Sequence, residues 1–395
     1  MSLNDTPLSQ RLHISFFGCR NVGKSSLVNA VTGQDLSVVS DVKGTTTDPV
    51  LKTMELLPLG PVCIIDTPGL DDEGELGQKR IEKALRILDK TDIAILIADA
   101  RTGLSSLDEN LIKTFTDRKI PYIIAYNKSD LSKGIPKKGN EIFVSALTGE
   151  NIEELKNIIG KLKSDVSDKR TILGDIIDKN DIAVLVTPID ESAPKGRIIL
   201  PQQMVIRNIL DCNAISVVTK ETELEKTLKA FKEPPKMVIT DSQVFKKVNE
   251  TVPKDIPLTS FSILMARYNG YLKLALSGIK ALDDLKDGDK VLIAEGCTHH
   301  RQCNDIGTVK IPNGLKKYTG KNFSFEFCSG TEFPKDLSGF SLVIHCGGCM
   351  LNLKEVYNRM KTAESQNIPV TNYGILLAQL TGTLKRSLEI FNNNF

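Results

Sequence analysis

The residues Gly18-Cys19-Arg20-Asn21-Val22-Gly23-Lys24-Ser25 fit the pattern G-x-x-x-x-G-K-S, a spacing suited to holding phosphate. Gly18 and Gly23 allow the backbone to turn its N–H groups onto phosphate oxygens at a helix N-terminus. Lys24 is then placed for the β- and γ-phosphates, and the Ser25 hydroxyl for Mg²⁺. Asn21, Val22 and Ser26 complete the contacts expected of this loop. Downstream, Asp66-Thr67-Pro68-Gly69 supplies a carboxylate to hold Mg²⁺ through water and a Gly69 N–H to sense the γ-phosphate. Between them lies Gly44-Thr45-Thr46-Thr47-Asp48, where Thr46, or else Thr45, is expected to close over Mg²⁺.

The base is read elsewhere. Asn127-Lys128-Ser129-Asp130 places Asp130 to accept from the guanine N1–H and 2-amino groups, which adenine cannot supply. A site built around such a pair rejects the wrong base by roughly 10⁴-fold. Lys128 is expected across the base plane, and Asn127 is expected to tie this loop to the phosphate loop. Ser145-Ala146-Leu147 would offer the Ala146 N–H to the base O6. Together these motifs point to GTP rather than ATP.

A second constellation lies near the C-terminus. Of eight cysteines and four histidines, Cys297, His299, His345, Cys346 and Cys349 form two clusters, Cys297-Thr298-His299 (followed by His300) and His345-Cys346-Gly347-Gly348-Cys349. Thiolates at this spacing suit a metal rather than a disulfide, as a reducing compartment would require. Cys297, Cys346 and Cys349 with one histidine would make a closed zinc site. The three cysteines alone would hold a 4Fe-4S cluster with one iron weakly ligated. Cys212, Cys303 and Cys328 have no partner at ligand spacing and read as structural.

The elements that must position these residues alternate between apolar strands and amphipathic helices. Strands are expected at Leu12–Phe17, Val62–Asp66, Ile93–Asp99, Tyr122–Asn127 and Glu141–Val144, with helices at Lys24–Thr32, Lys79–Leu88, Leu107–Asp117 and Ile152–Leu162. The fold class is thus α/β. A P-loop domain with a mostly parallel, doubly wound sheet is expected over 1–165, followed by two smaller α/β blocks over 171–267 and 268–395. In the last block, strands at Lys290–Ala294 and Phe340–Ile344 precede the two cysteine clusters, and a helical run is expected from Tyr268 to Leu285. If those strands are parallel neighbours, their C-terminal ends bring the clusters together, where such sheets place ligands.

Composition narrows the function classes. At 395 residues, 41% apolar and 25% charged, the chain reads as a globular protein of two or three domains. A net charge of +2 gives no reason to expect a broad nucleic-acid surface. There is no run of membrane-spanning length and no signal-peptide core, so a cytoplasmic location is expected. The absence of a C-x₃-C-x₂-C run argues against a radical-SAM enzyme.

Through GCRNVGKS, GTTTD, DTPG, NKSD and SAL, the N-terminal domain resembles the TrmE–Era–EngA group of GTPases. As in that group, a hydrophobic residue, Leu70, follows DTPG where a water-positioning glutamine would otherwise stand, so unaided hydrolysis is expected to be slow. The resemblance also makes Asn21 a candidate ligand for an activating K⁺ ion. With C-T-H and H-C-G-G-C behind such a domain, the whole chain resembles the HydF-type FeFe-hydrogenase maturation GTPases. That resemblance implies a 4Fe-4S cluster on Cys297, Cys346 and Cys349, with His299 and His345 as motif histidines. It further implies a middle dimerisation domain in a homodimer, and a scaffold that receives a di-iron subcluster from radical-SAM maturation enzymes and delivers it to the immature hydrogenase. The competing class is an RNA- or ribosome-associated GTPase with a structural zinc site, which should carry a basic, aromatic RNA platform.

Overall fold

The computed structural model describes residues 6–34, 50–57, 59–69, 84–132, 139–166, 171–189, 198–296, 305–330, 332–348 and 351–391. The chain divides into two compact units, Met1–Asp168 with Asn352–Glu355, and Lys169–Leu351 with Val356–Phe395.

The first unit is built on a six-stranded sheet of order β2-β3-β1-β4-β5-β6. Its strands are β1 (Leu12–Phe17), β2 (Val50–Leu56), β3 (Gly60–Asp66), β4 (Ile93–Asp99), β5 (Tyr122–Asn127) and β6 (Glu141–Phe143). All pairings are parallel except β2 with β3. β2 was not expected from sequence: its burial pattern is mostly exposed, so it lacks the apolar run that marked the others. β4 is buried at every position, as a strand covered on both faces must be. One core packs Leu27, Val28 and Val31 of helix Lys24–Thr32 and Leu155 and Ile159 of helix Ile152–Val166 against the sheet. A second core, around Phe17, Leu88, Leu96 and Phe115, covers the other face. Helix Ser106–Asp117 starts with a capping box, in which Ser105 and Asp108 satisfy each other's backbone N–H groups.

The second unit contains two four-stranded parallel sheets, ordered β10-β9-β7-β8 and β12-β11-β13-β14. The first sheet comprises β7 (Ile182–Val186), β8 (Ile215–Thr219), β9 (Met237–Thr240) and β10 (Leu258–Ser260). The second comprises β11 (Lys290–Glu295), β12 (Ser324–Ser329), β13 (Leu342–His345) and β14 (Val370–Asn372). Within the run expected as a helix from Tyr268 to Leu285, the α-helix covers Leu272–Lys280, and a separate helix, Phe261–Tyr268, precedes it. The break falls at Asn269-Gly270, where Gly270 takes a φ of 79° that a helix interior does not permit.

The middle and C-terminal blocks share one hydrophobic core, which runs from Ile172 to Phe391 and includes Leu185, Phe261, Leu292, Ile344 and Leu376. Arg386, only 9% exposed, reinforces the junction. Its guanidinium donates to the carbonyls of Asn249, Val252, Pro253 and Ile256, which lie at or just beyond the end of helix Phe245–Thr251.

Candidate functional site: a guanine-nucleotide basin and a thiol basin

β1 delivers the phosphate loop from the centre of the first sheet. Gly18 has φ 144°, and a Cβ there would lie 2.2 Å from the Ile97 carbonyl oxygen on β4. Gly23 has φ 86°, and a Cβ would lie 2.3 Å from Asn127 Nδ2. Both positions therefore demand glycine for space as well as for backbone conformation. Lys24 Nζ donates to the carbonyls of Gly18 (2.9 Å) and Cys19 (2.7 Å), so the loop curls around its own ammonium. The Ser25 hydroxyl donates to Asp66 Oδ2 at 2.9 Å. With its proton so engaged, the serine oxygen keeps its lone pairs for a cation, an arrangement that fits a Mg²⁺ ligand oriented by a carboxylate. Gly69 packs on Arg20, where a Cβ would meet the arginine Cγ at 2.4 Å.

The base-reading loops are tied together in the same way. Asn127 Nδ2 donates to Val22 O at 2.9 Å, and Asn127 Oδ1 accepts from the Ala146 N–H at 3.0 Å. One side chain thus joins the phosphate loop, the β5 loop and the Ser145 loop. Ser145 Oγ donates to Asp130 Oδ1 at 2.6 Å and so aims that exposed carboxylate. Lys128, at φ 67°, donates to Asn21 O at 2.6 Å. A groove of about 510 Å³, lined by Ser26, Asn29, Ala30, Gly33, Ala146 and Leu147, opens beside these loops.

Sequence reasoning passed over three partners in this basin. Asp99 and Arg101 form a bidentate ion pair, with Nε to Oδ1 at 2.9 Å and Nη2 to Oδ2 at 2.6 Å. The Arg101 guanidinium, with help from Lys128, holds the Asp99 carboxyl well below the usual carboxylate range. Glu150 accepts from Ser129 Oγ at 2.8 Å and its carbonyl from the Ser145 N–H at 3.1 Å, which pins the two base loops to each other. The signal for Asp99 was its place at the end of an apolar strand; Glu150 had none. Thr46, Thr45 and Leu70 lie outside the described residues.

In the second unit, β11 and β13 are parallel neighbours with Ala294 opposite His345. The ends of the two strands that precede the cysteine clusters are therefore side by side. Cys346 N–H donates to Ala294 O at 2.8 Å. Its Sγ accepts backbone N–H groups from Gly296 at 3.0 Å and Gly348 at 3.3 Å. Two such donors stabilise a thiolate and are the second-sphere contacts that metal-bound sulfur takes, so Cys346 fits a cluster ligand. Cys297, His299 and Cys349 lie outside the described residues, and those described contain no group of three or more metal-ligating side chains.

The floor of this basin is polar and buried. His345 is 1% exposed, its Nδ1 lies 2.7 Å from Cys346 O, and its Nε2 has no hydrogen-bond partner among the described residues. Burial, with the Arg359 cation nearby, pulls its pKa down to about 4, so the ring is neutral at physiological pH. Glu295 is 5% exposed and accepts from the Tyr373 hydroxyl at 3.2 Å. Burial and this carboxylate push the Tyr373 phenol far up. Cys328 sits on edge strand β12, where burial raises its thiol to about 11 and leaves it an unreactive small hydrophobe.

Known families account for the two units differently. A family described as 50S ribosome-binding GTPase matches residues 13–128. The hydrogen maturase F dimerization domain matches residues 172–270, and the hydrogen maturase F tetramerization domain matches residues 273–390. The last two together cover more than half of the sequence. The chain belongs to the hydrogen maturase F family.

In this family member the first unit also has relatives elsewhere. The tRNA modification GTPase MnmE of Dechloromonas aromatica is 36% identical over 155 residues, 38% of this chain and 34% of that protein. GTPase Der of Mycoplasmopsis pulmonis is 33% identical over 187 residues, 42% of this chain and 43% of that protein. The chain thus spans less than half the length of the curated relatives it matches. Among solved structures, Era of Aquifex aeolicus bound to GDP·AlF4⁻ is 28% identical over 38% of this chain and 56% of that one, with a TM-score of 0.33. No helix among the described residues is long and apolar enough to cross a membrane.

Proposed function

We propose that the protein is a GTP-hydrolysing scaffold that binds a 4Fe-4S cluster and passes a di-iron subcluster to immature FeFe-hydrogenase. The observation that carries this reading is the Cys346 thiol. It is held by two backbone N–H groups at the shared end of β11 and β13, in a chain whose other unit is a P-loop GTPase domain. Cys297, Cys346 and Cys349 would hold the cluster, which when bound supplies an iron centre able to meet the incoming di-iron species. His345, neutral and buried, helps close the floor beneath it.

In the GTPase domain, Lys24 and the loop N–H groups neutralise the phosphates, Ser25 and Thr46 ligate Mg²⁺, and Asp66 orients Ser25. Gly69 meets the γ-phosphate. Asn127, Lys128, Asp130, Ser145 and Ala146 select guanine. With Leu70 where a glutamine would orient water, hydrolysis is slow and suits a switch in the cytoplasm rather than an engine. Asn21 is assigned to K⁺, so hydrolysis should be faster in K⁺ than in Na⁺ at equal ionic strength.

Assembly through the second unit is supported by both matched domains, and extends the expected dimer to a tetramer. Edge strand β8 leaves Ile215 and Val218 48% and 43% exposed, an open edge suited to pairing with another copy.

Anaerobic reconstitution with iron and sulfide tests the central reading. A brown protein with a reducible, EPR-active cluster is expected. Stoichiometric zinc retained without any such signal would replace it with a structural zinc site.

A further inference from the structure

We propose that Asp99 is a positioning residue of the nucleotide site, whose carboxylate holds Lys128 across the base pocket before nucleotide arrives. The inference rests on the guanine-nucleotide reading given above. Asp99 ends β4 directly opposite Asn127, which ends β5, and the next N–H, of Ala100, donates to Asn127 O at 2.8 Å. The acid is thus fixed beside the first residue of the base-reading motif. Its side chain is 9% exposed, and Oδ2 accepts from Lys128 Nζ at 2.8 Å. The lysine has a second tether, Asn21 O of the phosphate loop, at 2.6 Å.

Lys128 needs such a hold. It sits at φ 67° on a flexible four-carbon stem and is still 27% exposed. An untethered lysine loses much rotamer freedom when a ligand immobilises it, and that cost falls on the binding step. A charge-assisted bond to a shielded carboxylate removes the cost in advance.

A simpler role for Asp99 would be to staple its own turn, because Arg101 lies two residues on and engages both carboxylate oxygens. The Arg101 backbone N–H also reaches Oδ1, at 3.0 Å. Those bonds would need no lysine from another loop. Lys128 approaches from the β5 loop and shares Oδ2 with the 51%-exposed Arg101. The carboxylate therefore joins two loops, and only one of its bonds points into the base pocket.

The test uses the full chain and a fluorescent GDP analogue. Asp99→Asn and Asp99→Ser should each weaken binding about ten-fold, as expected for one lost charge-assisted bond, chiefly through faster release. The kcat at saturating GTP should stay within about two-fold, with KM carrying the loss. Arg101→Gln removes the guanidinium bonds but keeps the Lys128 bond to Oδ2, so it should lose less affinity than Asp99→Asn, and an equal loss would overturn the proposal. On a Lys128→Met background, Asp99→Asn should add no further loss, because the acid acts through the lysine. Wild-type affinity in Asp99→Asn, or in Asp99→Ser should the first variant not fold, would overturn the proposal. So would losses that multiply in the double variant. A wild-type chain that binds no guanine nucleotide would sink the broader reading instead, a separate and visible outcome.

Discussion

The nucleotide basin of the first unit and the thiol basin of the second both sit at the C-terminal ends of parallel strands, yet they are built by different means. In the first, side chains from distant loops are already bonded to one another: Asn127 to Val22 and Ala146, Ser145 to Asp130, Ser25 to Asp66. In the second, the Cys346 sulfur accepts the backbone N–H groups of Gly296 and Gly348, above buried groups that give little to solvent. A soluble nucleotide that comes and goes is best met by a preformed polar net. A thiolate cluster is best met by peptide N–H groups, which cannot be titrated away.

The sharpest way to break this comparison is to remove the sulfur. Cys346→Ser should reduce iron–sulfur loading to background in reconstitution, measured by iron content and EPR, while GTP hydrolysis stays within about two-fold. Loss of hydrolysis as well would show that the two basins are energetically coupled. Asp130→Asn attacks the other side. It should lower GTP affinity about 100-fold, because the carboxylate that accepts two guanine protons is gone, and it should improve binding of xanthosine triphosphate, whose C2 carbonyl can accept from the new amide. Nucleotide titrations would check both arms.

A third expectation uses the buried histidine of the first unit. Burial lowers the pKa of His13 to about 4, and burial raises its neighbour Asp92, 3.8 Å away, to about 6. The depressed histidine contributes stability that is complete above its unfolded pKa near 6.5 and is lost as pH falls toward 4. The raised carboxyl works in the opposite sense, contributing below its unfolded pKa and losing that contribution as pH rises toward 6. The two slopes offset each other in the wild type. Asp92→Asn removes one of them, so its stability should fall by up to about 3 kcal/mol between pH 6.5 and 4. Denaturant melts across that window would show it, and a flat profile would remove the assignment. The smallest effect belongs to Tyr373→Phe. Losing the hydroxyl bond to Glu295 should cost about 1 kcal/mol of stability, with cluster loading retained.

The first unit was largely legible in the sequence because its signals are local. An apolar run followed by glycine and lysine describes both a strand and its loop, and β1, β4, β5 and helix Lys24–Thr32 end where that pattern ends. β2 escaped because an edge strand exposed over most of its length has no apolar signature. In the second unit, β14 and helix Ile311–Thr319 were missed: a three-residue strand is too short to show a period, and that helix follows a five-residue π-turn. The middle and C-terminal blocks read as separate domains from their strand patterns. Their shared core is invisible there, because it depends on which apolar faces meet.

What the sequence determined by itself is chemistry carried by short motifs. The phosphate loop, the guanine-reading acid and the paired cysteine clusters each need particular atoms at fixed spacing along the chain. What only the tertiary structure decided is which distant groups complete them. Asp99 beside Lys128, Glu150 beneath Ser129 and Gly296 against Cys346 are juxtapositions made by sheet register and loop packing. Local spacing fixes what a residue can do, and the fold fixes what stands next to it.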